Sequence, residues 1–324
     1  MSRSSSMLLG RIATVLCLAV SVLLAACGCS SASAGSTATT QAADAGTSSK
    51  VKVVASFYPM ADFAQRIGGD KVDVTCMVPA GTEPHDWEPS AADIQTIDSA
   101  DLLVYNGAGM ESWVSDVLAS AGSDAPASVC ASDGITLRQV TADEGAEAGQ
   151  LVDDPHVWNS PKDAKAEMRT IADALEKADP ADADTFEANY ATAAAEADQL
   201  DQEYASTLSA CTNKRIVVSH EAWGYLCDEY GLTQVGIEGL DPDAEPDAQA
   251  MAAITDEVRQ DGITTIFYED LVSPKVAQAI ASETGATAEQ LNPLEGLTDE
   301  ELAQGQDYFS VMRGNLSELK AALA

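Results

Sequence analysis

The stretch PADADTFEANYATAAAEADQLDQEYASTL, residues 180–208, decides how the chain is divided. Its apolar side chains, Phe186, Tyr190, Ala193, Ala197, Leu200, Tyr204 and Leu208, recur every three or four residues, the spacing of one face of an α-helix. About thirty residues of helix extend roughly 45 Å at 1.5 Å per residue. Such a helix is expected to join two lobes as one rigid element; an ordinary amphipathic helix in the core of a single lobe has the same periodicity and stays as the alternative.

On both sides of this helix, short β-branched runs alternate with helical patterns. Before it come VKVVASF (51–57), VDVTCMVP (72–79), DLLVYNG (101–107) and ASVCASDGI (127–135), separated by PMADFAQRIGG, SAADIQTIDSA and ESWVSDVLASA. After it come RIVVSH (215–220), LTQVGIEG (232–239), ITTIFYED (263–270) and ATAEQLNPL (286–294), again with helical patterns between them. Alternation of this kind argues for βα units and parallel sheets. The expected fold is therefore α/β: two lobes, each with a mostly parallel sheet flanked by helices, joined by one long rigid helix. The boundaries are an N-terminal lobe at 51–179, the linking helix at 180–210 and a C-terminal lobe at 211–324. Ser160-Pro161 starts a further helix that turns Ala164, Met168, Ile171 and Leu175 inward. GAGMES (107–112) has neither GxGxxG spacing nor a Walker lysine, so no phosphate loop is expected.

The first fifty residues belong to none of this. MSRSSSMLLGR leads into an apolar run from Ile12 to Ala26, a secretory signal at 1–26. The run is fifteen residues long, short of the roughly 20 that span a bilayer as a helix. It ends Leu24-Ala25-Ala26-Cys27, which resembles a bacterial lipobox and implies that Cys27 is acylated. The expected location is extracytoplasmic, held to the cell membrane by that lipid. Residues 27–50, rich in Ser, Ala, Gly and Thr, read as a flexible tether.

The formal charge is −35, and loss of Arg3 and Arg11 with the signal takes it to −37. Nucleic acid is excluded as a partner by that balance, and the field attracts cations. Of the seven cysteines, Cys17 lies in the signal and Cys29 in the tether; the pairing of Cys76, Cys130, Cys211 and Cys227 cannot be deduced from spacing.

The chain has three histidines. Two sit in one recurring pattern, acid-Pro-His-x-Trp: EPHDW around His85 and DPHVW around His156. His85 follows the second strand, His220 ends the fifth, and His156 lies in the loop before a Pro-started helix. In open α/β sheets ligands collect outside the carboxyl ends of the strands, so three imidazoles from distant segments are expected to converge between the lobes. Taken singly, each is better explained as a hydrogen-bonded structural residue. Together they point to Zn²⁺, for which a closed tetrahedral site needs a fourth donor. Glu295, in LNPLEG after the last strand, is the expected carboxylate, with Glu83 and Glu221 as substitutes beside histidines. Asp86 and Asp154 are candidates to accept the second ring N–H and so fix the tautomer.

With these residues in view, the chain resembles the zinc- and manganese-binding lipoproteins that deliver metal to ABC importers, known as the cluster A-I family. The resemblance runs through GTEPHDWEPS, DPHVWNSP, SHEAWGYL, FYEDLVSPKVAQAIASETG, LNPLEGLTDEE and YFSVMRGNL, in the family's order. It implies two lobes bridged by one helix, with metal held by His85, His156, His220 and Glu295, and a membrane permease as partner. His220 and Glu295 tilt the choice to the zinc branch, because nitrogen donors suit Zn²⁺ while Mn²⁺ favours oxygen; Mn²⁺ is the alternative. Zinc members often carry a His-rich loop before DPHVW, whereas TADEGAEAGQLVDD (141–154) has no histidine.

A secreted zinc hydrolase is the competing reading from another class. Catalytic zinc keeps an open position and often sits in HExxH, but SHEAW lacks the second histidine. The expectation is a monomer that binds one zinc ion per chain without turnover. With ordinary imidazole pKa values near about 6.5, its affinity is expected to fall steeply below about pH 6.

Overall fold

The computed structural model describes residues 49–142, 149–242, 244 and 246–324. The signal at 1–26, Cys27 and all of the tether except residues 49 and 50 lie outside the described residues, as does part of the acidic stretch 141–154.

The first α/β run forms β1 (Val51–Ala55), α1 (Tyr58–Gly68), β2 (Val72–Cys76), α2 (Ala91–Asp98), β3 (Leu102–Tyr105), α3 (Val114–Ala121) and β4 (Ala127–Cys130). Its four strands are all parallel in the order β2-β1-β3-β4. An antiparallel hairpin follows, β5 (Gln139–Thr141) paired with β6 (Leu151–Asp153), which the sequence reading did not anticipate. Three-residue strands in a polar stretch carry too few side chains to show a period.

Two helices come next, α4 (Pro161–Ala178) and α5 (Ala183–Ser209). The second run then gives β7 (Arg215–Val218), α6 (Gly224–Tyr230), β8 (Thr233–Gly236), α7 (Ala248–Asp261), β9 (Thr265–Tyr268), α8 (Lys275–Thr284) and β10 (Thr287–Gln290). These strands are parallel in the order β10-β9-β7-β8. Counting within each sheet, both have the order second-first-third-fourth, so each lobe has its topological switch between its first and third strands.

Helix α5 spans 27 residues. Six of the seven predicted apolar side chains are buried, from Phe186 to Leu208, and Tyr190 is partly covered. That face packs on α4, α1 and the C-terminal helix, reached through the short α9 (Asp299–Ala303) and named α10 (Tyr308–Leu323). Each large apolar side chain buried there contributes about 1.5–3 kcal/mol. The Tyr204 hydroxyl donates to the Met312 carbonyl at 2.6 Å, so the ring's polar end is also satisfied. One contiguous core runs from Val53 and Phe57 on the first lobe through α4 and α5 to Ile216, Phe267 and Leu294 on the second. Among the described residues the cysteines Cys76, Cys130, Cys211 and Cys227 are free thiols, and no helix is long and apolar enough to cross a membrane.

Candidate metal centre

Each donor of the site is set by a local device. In the turn after β2, both Glu83 carboxylate oxygens accept the His85 backbone N–H, at 2.9 and 3.1 Å. The Gly81 amide donates to Leu297 at 3.0 Å, tying this turn to the loop after β10. His156 precedes one tight turn, Val157–Asn159, and then α4, whose Ser160 hydroxyl caps the Asp163 amide with Pro161 in the first turn. Trp158 beneath it is fully buried and donates its indole N–H to the Pro293 carbonyl at 2.8 Å.

His220 stands two residues beyond β7. Glu295 follows Leu294, which is fully buried with φ 62°. A branched side chain in that left-handed region is strained by about 1–3 kcal/mol and persists only where its surroundings hold it. Here Asn292 Oδ1 accepts the Leu294 amide at 2.7 Å, and the Asn315 amide group donates to the Asn292 carbonyl at 2.7 Å while accepting the Asn292 N–H at 3.0 Å.

The four side chains meet. His156 Nε2 lies 3.2 Å from both His85 Nε2 and His220 Nε2. Glu295 Oε1 lies 3.3 Å from His85 Nε2 and 3.1 Å from each of the other two. A tetrahedral ion with bonds of about 2.0–2.1 Å has donor–donor edges of about 3.3–3.4 Å, and the separations of 3.1–3.3 Å lie just below those edges, close to a zinc coordination sphere. His156 and Glu295 are 0% exposed and His220 is 2% exposed.

The ring orientations carry the same message. His156 Nδ1 is 2.9 Å from Asp154 Oδ1, and His220 Nδ1 is 2.8 Å from Glu269 Oε1. With those nitrogens donating to carboxylates, the neutral rings present bare Nε2 lone pairs to one another and to a carboxylate. Acceptors at that separation repel unless a cation lies between them. Among the described residues, buried Glu295 Oε2 has no hydrogen-bond partner, which leaves it a further donor for a cation. Three neutral nitrogens and one anionic oxygen suit Zn²⁺.

Protons are the competing cation. Burial disfavours charge on His220, but Glu269 and Glu295 outweigh it and hold its pKa well above the ordinary imidazole value. His156 is raised in the same way, burial being overcome by Asp154 and Glu295. Burial of Glu295 acts to raise its pKa, yet His220, His85 and His156 keep it well below the usual carboxylate range. The pH expectation from unperturbed imidazoles therefore needs correction: protons compete at a higher pH.

Among the described residues these four form the metal-ligating cluster. Neither substitute is among the four: Glu83 accepts the His85 amide in its own turn, and Glu221 lies against Gly236. Asp154 accepts a ring N–H as expected, whereas Asp86 is exposed. The acceptor behind His220 is Glu269, which the sequence reading missed although it directly follows β9 at the switch point of its sheet. Also missed was Glu111 in GAGMES: its carboxylate takes the Ser56 hydroxyl at 2.6 Å and the Asn106 and Gly107 amides at 2.8 and 2.9 Å. Asn106 in turn donates to Pro155 at 2.9 Å, so this knot steadies the segment carrying His156.

A family model described as zinc-uptake complex component A, periplasmic, matches residues 53–322. The chain is 41% identical over 296 residues to the zinc-binding protein AdcA of Streptococcus pyogenes serotype M3, a match covering 87% of this chain and 58% of that relative. It therefore spans less than two thirds of AdcA. It is 40% identical over 308 residues to the high-affinity zinc uptake system protein ZnuA of Bacillus subtilis, covering 93% of this chain and 94% of that one. The crystal structure of the Zn(II)-bound ZnuA-like domain of Streptococcus pneumoniae AdcA superimposes with a TM-score of 0.74 at 37% identity, over 85% of this chain and 99% of that domain. With the long helix, all four converging side chains and all but the first two residues of the two parallel sheets inside the matched region, the chain belongs to the family of zinc-uptake complex component A.

Proposed function

We propose that this protein is an extracytoplasmic lipoprotein that captures Zn²⁺ between its lobes through His85, His156, His220 and Glu295 and passes it to the membrane permease of an ABC importer. The observation that carries this reading is the convergence of three imidazole Nε2 atoms on one buried carboxylate oxygen at 3.1–3.3 Å. Asp154 and Glu269 orient two of the rings and leave their Nε2 atoms bare for the ion. Four protein donors are enough to fill a tetrahedral sphere without a reacting water, which supports a role in binding without turnover. One chain is sufficient to supply all four donors, which supports a monomer as the working unit. Cys27 carries the lipid that holds the protein at the membrane.

The test is elemental analysis with competition titration on residues 51–324. One zinc ion per chain, displacing manganese, is the expected result, and His156→Ala weakens binding by orders of magnitude. Manganese displacing zinc, or a His156→Ala protein that binds like the parent, sinks this assignment. Cys27→Ala is expected to leave the membrane fraction with its metal affinity intact.

A further inference from the structure

Behind His156, on the side away from the other ligands, stands an arginine that the metal site itself does not use. Asp154 is fully buried and faces two ways. Its Oδ1 accepts the His156 backbone N–H at 3.1 Å and lies 2.9 Å from Nδ1, while its Oδ2 accepts from Arg138 Nη1 at 3.2 Å. Arg138 immediately precedes β5, and its carbonyl accepts the Asp154 amide at 2.8 Å.

Among the described residues, the other hydrogen bonds to this pair come from one helix of the opposite lobe. Asp228 of α6 accepts from Arg138 Nε at 3.1 Å. The Tyr225 hydroxyl accepts the Arg138 amide at 3.0 Å and donates to the Asp154 carbonyl at 2.8 Å. Gly224 provides the room: a Cβ there would stand 2.6 Å from both Arg138 Nη1 and Asp154 Oδ2. Helix α6 begins four residues after His220, so the segment that presents one ligand also clasps the carboxylate that orients another.

We propose that Arg138 is a positioning residue for zinc: seated on Gly224, it braces Asp154 against α6, so that the aim of His156 and the docking of the two lobes are set by one joint. A guanidinium suits this task because its planar fork meets Asp154 and Asp228 at once, which a single ammonium does not. The Asp154 link is the strong one, because that carboxylate is 0% exposed, whereas Asp228 is 69% exposed. Loss of the brace leaves Asp154 free to rotate with the ring it holds, and zinc escapes faster.

This inference rests on the proposed zinc site, and its test has one arm that needs no metal. In competition titrations Arg138→Ala is expected to raise the zinc Kd by about 10–100-fold, the usual cost of removing a group that orients a ligand. Arg138→Lys, which keeps the charge but not the fork, falls between. Gly224→Ala removes no charge and no hydrogen bond and improves helix propensity, yet it weakens zinc binding because it pries the pair apart. In an Asp154→Ala background, Arg138→Ala changes the Kd by less than about twofold, since the residue acts through Asp154.

The metal-free arm is hydrogen exchange. Arg138→Lys and Gly224→Ala are each expected to speed exchange by about tenfold in residues 154–160 and 220–227 together, leaving β1 and β9 as in the parent. Exchange altered in only one of those segments, or parental zinc affinity in both Arg138→Ala and Gly224→Ala, overturns the brace. A parent protein that takes up no zinc overturns the functional reading alone, and the exchange arm then decides the brace by itself.

Discussion

Zinc affinity is expected to climb steeply with pH through neutrality, and the structure sets how steeply. In the metal-free protein Glu295 is an anion, and carboxylates raise the proton affinity of His220 strongly and of His156 to a lesser degree. Zinc needs both Nε2 atoms bare. Every proton expelled on binding changes the apparent affinity about tenfold per pH unit, or about 1.4 kcal/mol. While two protons are held the slope approaches about 100-fold per pH unit, and it falls to about tenfold once the pair retains one.

Stability follows with opposite signs. The raised histidines stabilise the metal-free fold most below their unfolded pKa of about 6.5, and this contribution is lost as pH rises through their folded values. The lowered Glu295 adds stability above its unfolded pKa of about 4.3 and loses it as pH falls. Zinc at about a thousand times its Kd adds about 4 kcal/mol, so the zinc-induced rise in melting temperature is large at about pH 7.5 and shrinks strongly at about pH 5. The assay is competition against a chelator of known pH-corrected affinity, with tryptophan fluorescence as a second readout, since the Trp158 ring lies 5.4 Å from that of His156. An affinity that stays flat from about pH 6.5 to 8 shows that the imidazoles hold no protons there, and refutes the reasoning.

Two further outcomes follow from single residues. Glu269→Gln is expected to weaken zinc binding by about 10–100-fold, because an amide supports the His220 N–H less strongly than a carboxylate does; an unchanged Kd by titration rules out that role. Glu167 of α4 is 0% exposed, neither of its carboxyl oxygens is hydrogen-bonded among the described residues, and burial, then Asp163 and Glu111, push its pKa well up. Glu167→Met is expected to stabilise the metal-free protein by about 1–3 kcal/mol in denaturant unfolding. A loss of stability there means that the carboxyl is satisfied.

The parts of the fold legible in sequence were those with a period or a repeat. The inner strands β1, β3, β7 and β9 stand out as largely apolar runs because parallel strands buried on both faces need continuous apolar side chains, whereas edge strands such as the exposed TAEQ of β10 show mainly through the regular alternation of strand and helix. Helix α5 announced itself because a single face of 27 residues repeats the same spacing many times. The three histidines stood out by rarity and by their place at loop and strand ends, and Glu295 by following the last strand. What stayed hidden depends on contacts between distant segments. Nothing local distinguishes Arg138 from other arginines in the chain, and its partners Tyr225 and Asp228 lie 87 and 90 positions away. Glu269 was one of many acids in an acidic chain, and only the pairing of β9 beside β7 brings it to His220.

The four donors are not equally placed with respect to water. The His85 side chain is 13% exposed, against 0% for those of His156 and Glu295 and 1% for that of His220. Among the described residues its ring nitrogens meet only the other ligands, with no carboxylate behind them of the kind that holds His156 and His220. An arriving ion therefore meets the least restrained imidazole at the mouth and the three fixed donors at the back. Exchange is therefore expected to have an order: His85, the donor nearest water, binds an arriving ion first and releases a departing one last.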